Sequence, residues 1–167
     1  MGETRSVTLT LRDATRADLP FVLRFIRALA DYERLSHEVE ADEATLARFM
    51  FGEPRRAEAL IAEWDGEPAG FAVWYYSFST FLGRPSLYVE DVFVNPGMRG
   101  KGIGTSIFAH LAARALENGC GRMEWSVLDW NEPSIGFYRG LGARARAGWR
   151  LKQLTGDALA ALAARQG

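Results

Sequence analysis

Tyr88-Val-Glu-Asp-Val-Phe-Val-Asn-Pro-Gly-Met-Arg-Gly-Lys-Gly-Ile-Gly104 carries an extended apolar run into a glycine-rich turn, and the residues that follow recur at helical spacing: Ile103, Ile107, Phe108, Leu111, Ala112 and Ala115. Gly100, Gly102 and Gly104 let the backbone approach a ligand without Cβ obstruction. The amides of the helix's first turn, which have no intrahelical acceptor, point toward whatever binds there. Arg99 and Lys101 add two positive charges. A strand, turn and helix of this composition form a phosphate cradle. A nucleoside-triphosphate loop is excluded, because Lys101 precedes Gly102 and Gly104 where that loop needs the lysine after its last glycine. A dinucleotide fingerprint fits poorly, since the spacing here is Gly-x-Gly-x-Gly and Asn95-Pro96-Gly97-Met98 separates it from the strand. On the turn alone, a tight turn with a helix cap remains an alternative.

Working outward, Val7 to Leu11 alternates like a strand. A helix follows from Asp18 as N-cap, with Leu19, Val22, Leu23, Ile26, Leu29 and Ala30 on one face and Tyr32 and Glu33 at its end. Asp42 opens a second helix that stops before Gly52, with Leu46, Phe49 and Met50 expected inward. Ala59 to Trp64, the turn Asp65-Gly66 and Gly70 to Phe78 read as a β-hairpin, and Leu87 to Val94 as the next strand. After the cradle helix, which ends near Gly119, the pattern predicts a strand over Arg122 to Leu128. A short helix then starts at Asn131-Glu-Pro-Ser134, a last strand covers Trp149 to Leu154, and a terminal helix Gly156 to Ala164. Trp74-Tyr75-Tyr76 reads as half-buried strand.

The 167 residues suit a single domain over 1–167, able to bury ~70% of its unfolded surface. Twenty Lys and Arg against twenty-one Asp and Glu recommend neither nucleic acid nor an anionic membrane as partner. Cys120 stands alone, and His37 and His110 lie far apart, so the expectation is no disulfide and no metal. Cys120 reads as a buried small residue, not a nucleophile. The N-terminal residues lack the apolar core of a signal peptide, and no run reaches membrane-spanning length, so a cytoplasmic location is expected. Gly2 with Ser6 touches a myristoylation pattern, read as coincidence.

Arg99-Gly-Lys-Gly-Ile-Gly104 resembles the Arg/Gln-x-x-Gly-x-Gly/Ala signature of the GNAT acetyl-CoA-dependent N-acetyltransferases, placed between strand and helix as in that family. Glu90-Asp-Val-Phe-Val94, Asn131-Glu-Pro-Ser134, Phe137-Tyr138, Gly148-Trp-Arg-Leu151 and Leu29-Ala-x-Tyr-Glu33 look like its diamine (polyamine) N-acetyltransferase branch. The resemblance implies an α/β fold with a mixed, mostly antiparallel central sheet flanked by helices, acetyl-CoA as co-substrate, a small-molecule amine as acceptor, and a homodimer. It implies that CoA lies along Val92, Phe93 and Val94 and over Arg99, Gly100, Lys101, Gly102, Ile103, Gly104 and Thr105, with Asn131, Pro133, Ser134 and Tyr138 also contributing. It points to Tyr32, Glu33, Tyr88, Glu90, Asp91, Trp130 and Trp149 for the amine. Where the polyamine enzymes carry acidic residues before Gly-Trp-Arg-Leu, this chain has Arg144-Ala-Arg-Ala147. That departure favours a shorter or amino-acid-like amine, such as thialysine, over spermidine or spermine.

Acetyl transfer needs an uncharged amine and a stabilised leaving thiolate. A primary amine is neutral in about one molecule per two thousand at pH 7, a cost of about 4–5 kcal/mol. Glu90 is the candidate base, acting through water or with a raised pKa. Strict alternation puts Glu90 and Asp91 on opposite faces unless a bulge intervenes. Tyr138, implied by the family as its catalytic tyrosine, would hydrogen-bond the thiolate; complete proton transfer from a phenol to a thiolate is uphill by ~2 kcal/mol. The competing readings are acetylation of a peptide amine and a non-catalytic CoA-binding sensor.

Overall fold

The computed structural model describes residues 7–166. Gly2 and Ser6, of the myristoylation-like pattern, lie outside the described residues. The chain forms two compact units, one running through Asn131 and one from Glu132.

The first unit is built on a five-stranded sheet in sequence order: β1 (Leu9–Asp13), β2 (Glu58–Trp64), β3 (Glu67–Ser79), β4 (Arg84–Val94) and β5 (Arg122–Trp125). All neighbours are antiparallel except β4 and β5, which run parallel because α3 (Ile103–Glu117) returns the chain between them. The hairpin between β2 and β3 turns at Asp65 and Gly66, both with positive φ (52° and 84°), the geometry that the right-handed strand twist favours. Helix α1 (Leu19–Tyr32) and helix α2 (Glu43–Phe51) precede β2.

One sheet face packs on α1 and α2. Val22 and Phe25 of α1, Met50 of α2, Ile61 of β2, Phe71 and Val73 of β3 and Phe93 of β4 form a single buried cluster, in which Phe25 stacks on Phe71 at 5.3 Å. Phe25 was absent from the helical stripe expected from the sequence. Phe49, expected inward, is 42% exposed under the Arg48 guanidinium, because Leu46 and Met50, four residues apart, already form the inward stripe. On the other face α3 presents the buried Ile107, Phe108, Leu111 and Ala115; Phe108 meets Trp125 of β5 at 4.9 Å. Arg114 of α3 ties this layer to the sheet. Its guanidinium bonds Asp13 at 2.7 Å and lies over the Trp74 ring.

At the start of α1 the expected cap works differently. Asp18 holds the N-cap position, yet its buried carboxylate accepts hydrogen bonds from the Arg12 guanidinium (2.8 and 2.9 Å) and the Thr15 amide (2.7 Å) instead of from the helix. Arg12 also reaches Glu63. Asp42 caps α2 as expected, accepting from the Thr45 amide.

The second unit holds α4 (Glu132–Gly140) and α5 (Gly156–Ala163). Gly142, at φ 89°, ends α4. The strand expected over Trp149 to Leu154 is not formed: these residues are irregular, pair with no strand among the described residues, and leave Trp149 69% and Leu151 94% exposed. A strand needs a partner for its amides, and alternation in sequence alone supplies none. The strand expected to reach Leu128 likewise stops at Trp125, where its pairing with β4 ends at Val89. No helix among the described residues is long and apolar enough to cross a membrane.

Candidate active site

The glycine turn has the expected form. Pro96–Met98 makes one short 3-10 turn, Gly100 and Gly102 take φ of 76° and 80°, and Gly102 is the N-cap of α3. A Cβ at either glycine would meet nothing within 4 Å, so what demands glycine there is backbone conformation, and the space beside it is open. Gly102 has no side chain to cap the helix, which leaves the first amides of α3 directed at that space. Lys101 lies over the Trp64 ring at 4.9 Å. Arg99 donates from Nε to the Val94 carbonyl at 3.1 Å, and its guanidinium carbon lies 5.0 Å from the Tyr32 ring centre and 5.6 Å from that of Phe93.

Tyr32 thereby joins two parts of the unit. Its ring carries Arg99, and its hydroxyl donates to Asn131 Oδ1 at 3.1 Å, across ninety-nine residues of chain. Trp130, next to the buried Asn131, is half-exposed with its ring 6.1 Å from that of Tyr32. The end of α1, the glycine turn and the Trp130-Asn131 dipeptide therefore converge.

The decisive local feature is a register shift in β4. Val73 pairs with Asp91 and Trp74 with Val89, so Glu90 is an extra residue with no partner on β3. Without it, Tyr88 and Asp91 would fall on opposite faces; with it, both lie on the face that carries Phe71, Val73 and Phe93 and that α1 covers. Beyond the bulge, Asp91 to Val94 pairs only with β3, so its other edge meets no strand among the described residues. Val92 and Val94 are half-buried there and Phe93 is buried.

The bulge also groups carboxylates. Asp91 is largely buried, and burial first, then the charges of Glu90 and Glu33, push its carboxyl up to about 6. Burial raises Glu33 as well. Glu90 is exposed. Tyr88 faces Tyr75 at 5.2 Å and its hydroxyl shares a 2.8 Å hydrogen bond with Ser126 Oγ; burial and the nearby Glu90 raise the Tyr75 phenol. Sequence reasoning read Tyr75 only as strand and did not find the bulge that sets Asp91 among Glu90 and Glu33. The bulge has no glycine or proline to announce it. Arg34, beside Glu33, was missed too; its guanidinium lies 5.6 Å from the Trp130 ring.

The second unit carries the remaining candidates. Tyr138 and Ser134 are half-buried on α4, one turn apart; Tyr138 packs its ring against Phe137 at 5.5 Å, and Pro133 is exposed. Trp149 is covered by the Arg146 guanidinium at 4.5 Å. Cys120 is buried and its thiol pushed up, as suits an inert residue. Among the described residues, no group of three or more His, Cys, Asp or Glu is arranged to hold a metal ion.

Because two neighbouring carboxylates raise Asp91, neutralising either must lower it. Carboxyl-carbon NMR titration should place Asp91 near pH 6 in the wild type, and Glu90→Gln or Glu33→Gln should move that midpoint to lower pH. An unchanged midpoint in both variants would show that the three carboxylates do not interact.

Comparison with known proteins agrees with this geometry. The profile of the acetyltransferase (GNAT) family matches residues 23–143. Thialysine N-epsilon-acetyltransferase of Bos taurus is 38% identical over 93% of this chain and 97% of its own length. L-ornithine N5-acetyltransferase of Arabidopsis thaliana is 30% identical over 91% of this chain and 86% of its own. Among solved structures, an integron cassette protein from the mobile metagenome of V. cholerae superposes with TM-score 0.76 at 26% identity, covering 93% of this chain and 97% of that one. An aminoglycoside acetyltransferase at 16% identity and TM-score 0.73, covering 88% of this chain and 97% of that one, shares the fold. With a glycine turn opening a helix after a bulged strand, a family match over residues 23–143 and relatives of this kind along nearly its whole length, the chain belongs to the GNAT acetyltransferase family.

Proposed function

We propose that the protein transfers the acetyl group of acetyl-CoA to the side-chain or terminal primary amine of a small molecule, by direct attack of the amine on the thioester. The similarity to thialysine and ornithine acetyltransferases supports an amino-acid-like or short diamine acceptor. The observation that carries the reading is the partly buried Asp91 carboxyl with its raised pKa, three residues before Val94 and the glycine turn. A carboxylate near its ordinary pKa accepts a proton from an ammonium only with a penalty of about 9 kcal/mol; one near 6 lowers this to about 6 kcal/mol. Glu90, exposed on the bulge, and Glu33 attract the cation toward it. We therefore assign the proton-accepting role to Asp91, with Glu90 as the residue the ammonium meets first. A sensor has no use for a buried, raised carboxyl, and the relatives named above act on small amines, so neither competing reading gains support.

In this scheme the pyrophosphate of CoA lies on the first amides of α3, over Gly100, Gly102 and Gly104, with Arg99 and Lys101 supplying charge. The pantetheine arm pairs with the open edge at Val92, Phe93 and Val94. Tyr32 serves the cofactor side, through Arg99 and Asn131, as well as bordering the amine. Tyr138 hydrogen-bonds the departing thiolate, a role resting on its place in the family's pattern after Asn131, Pro133 and Ser134. The family match crosses Asn131 and Glu132, which supports reading both units as parts of one acetyltransferase domain. A cytoplasmic setting, where the lone Cys120 stays reduced, suits this enzyme. A homodimer is supported by Trp149, Leu151, Leu154, Leu159 and Leu162, all large and exposed in the second unit.

The direct test is release of free thiol from acetyl-CoA with ornithine, thialysine, lysine, diamines, polyamines and peptides; CoA binding without turnover on any of them would refute the enzyme reading. For an active amine, kcat/KM should fall on the acid side with a midpoint near pH 6, because a protonated Asp91 cannot accept a proton; Asp91→Asn should abolish that limb along with most activity. Tyr138→Phe should lower kcat by about a hundredfold or more with little change in the KM for acetyl-CoA, and wild-type turnover would remove Tyr138 from its role. Sedimentation equilibrium should give twice the chain mass, which Leu151→Asp with Leu159→Asp should halve.

A further inference from the structure

Helix α1 ends in a left-handed turn that ordinarily takes glycine. Glu33 is its C-cap, Arg34 follows at φ 62°, the Arg34 amide donates to the Asp31 carbonyl at 3.0 Å, and the Leu35 amide reaches back to the Ala30 carbonyl at 2.8 Å. That bond pattern satisfies the helix's last carbonyls and favours glycine at the residue with positive φ. An arginine held there is a strained choice, and such choices cluster where a side chain has work to do. The turn aims Arg34 along Trp130, with the guanidinium carbon 5.6 Å from the ring centroid. Both side chains are exposed, and Arg34 has no carboxylate partner among the described residues.

The surroundings say what this cation is for. Glu33, Glu90 and Asp91 make an acidic cluster that would receive any ammonium, so those three alone do not distinguish an amino acid from a diamine. A diamine has a second cation at its far end; an amino acid with a side-chain amine has a carboxylate there as well. Arg34 is one residue from Glu33, and Trp130 borders Tyr32 at the same convergence. A guanidinium held over an indole face by a cation–π contact makes no hydrogen bond to it, which leaves N–H groups for a planar carboxylate that it can bind in bidentate fashion.

We propose that Arg34, supported by Trp130, receives the α-carboxylate of an amino-acid substrate whose side-chain amine enters the acidic cluster, so that it selects amino acids over the corresponding diamines. This rests on the small-amine acetyltransferase reading and narrows it to a substrate class. No bond is made or broken at Arg34.

The test compares two pairs that differ only by the carboxylate: ornithine with putrescine, and lysine with cadaverine. The quantity read is the ratio of kcat/KM for the amino acid to that for its diamine. Arg34→Gly suits the left-handed backbone, so its Tm should equal or exceed that of the wild type, which separates loss of selectivity from loss of folding. The ratio should fall by about 10- to 100-fold in Arg34→Gly and Arg34→Met, the worth of a charge-assisted bond, and be partly retained in Arg34→Lys. A ratio within twofold of wild type in both Gly and Met variants would overturn the proposal while leaving the enzyme reading intact. If the wild type acetylates no amine, the enzyme reading fails separately, and calorimetric titration with ornithine and putrescine decides the matter. Weaker ornithine binding to Arg34→Gly, relative to putrescine, supports the carboxylate site; equal weakening overturns it.

Discussion

One inserted residue organises the active half of this protein. Glu90 has no partner on β3, and every side chain of β4 after it is therefore on the face opposite to the one that simple alternation gives. The shift brings Asp91 beneath the end of α1, near Glu33, and seats Phe93 in the aromatic cluster with Phe25 and Phe71. It also coincides with the end of β4–β5 pairing, since Val89 is the last residue of β4 opposite Trp125. A carboxyl inside the layer and an open backbone edge beside it thus arise from the same place in the chain. Bulges bend strands and end pairing, and here both effects serve the site.

Burying Asp91 carries a cost that the surrounding structure must meet. Desolvation and two like-charged neighbours all disfavour its ionised form. The fold tolerates this because the cluster beneath it is well packed: Val22, Phe71 and Ile61 are fully buried, and Phe25 stacks on Phe71. A bound cation would supply the countercharge. The arrangement is poorly satisfied alone and better satisfied with a cation, which is how stored electrostatic cost becomes affinity.

Much of this was legible in the sequence, for identifiable reasons. The β2–β3 hairpin was announced by Asp65-Gly66, α2 by Asp42 and Gly52, and α3 by glycines followed by a helical stripe, because capping and turn chemistry is local. The strand expected at Trp149 failed because pairing is not local: alternation says that a segment can be a strand, not that a partner exists. In the site, the glycine turn and the group Glu90-Asp91 were identified by residue type and order. The face that each carboxylate takes was not, since a bulge without glycine leaves no mark in the pattern. Arg34 escaped for the same kind of reason: a helix C-terminus without glycine shows neither its left-handed turn nor its aromatic neighbour.

The Arg12–Asp18 pair at the start of α1 has a consequence for behaviour in acid. Hydrogen bonding to Arg12 holds the Asp18 carboxyl far below the usual carboxylate range, so its contribution to stability persists above about pH 4 and is lost only in stronger acid. Asp91 has the opposite sign: with a folded-state value near 6, it takes up a proton more readily in the folded chain than in the unfolded one, and stability gains as pH falls from 7 toward 4. Mild acid thus removes the charge of Asp91 while leaving the anchor of α1 in place. The loss is a titration of one group within an intact fold, and returning to neutral pH restores it without refolding.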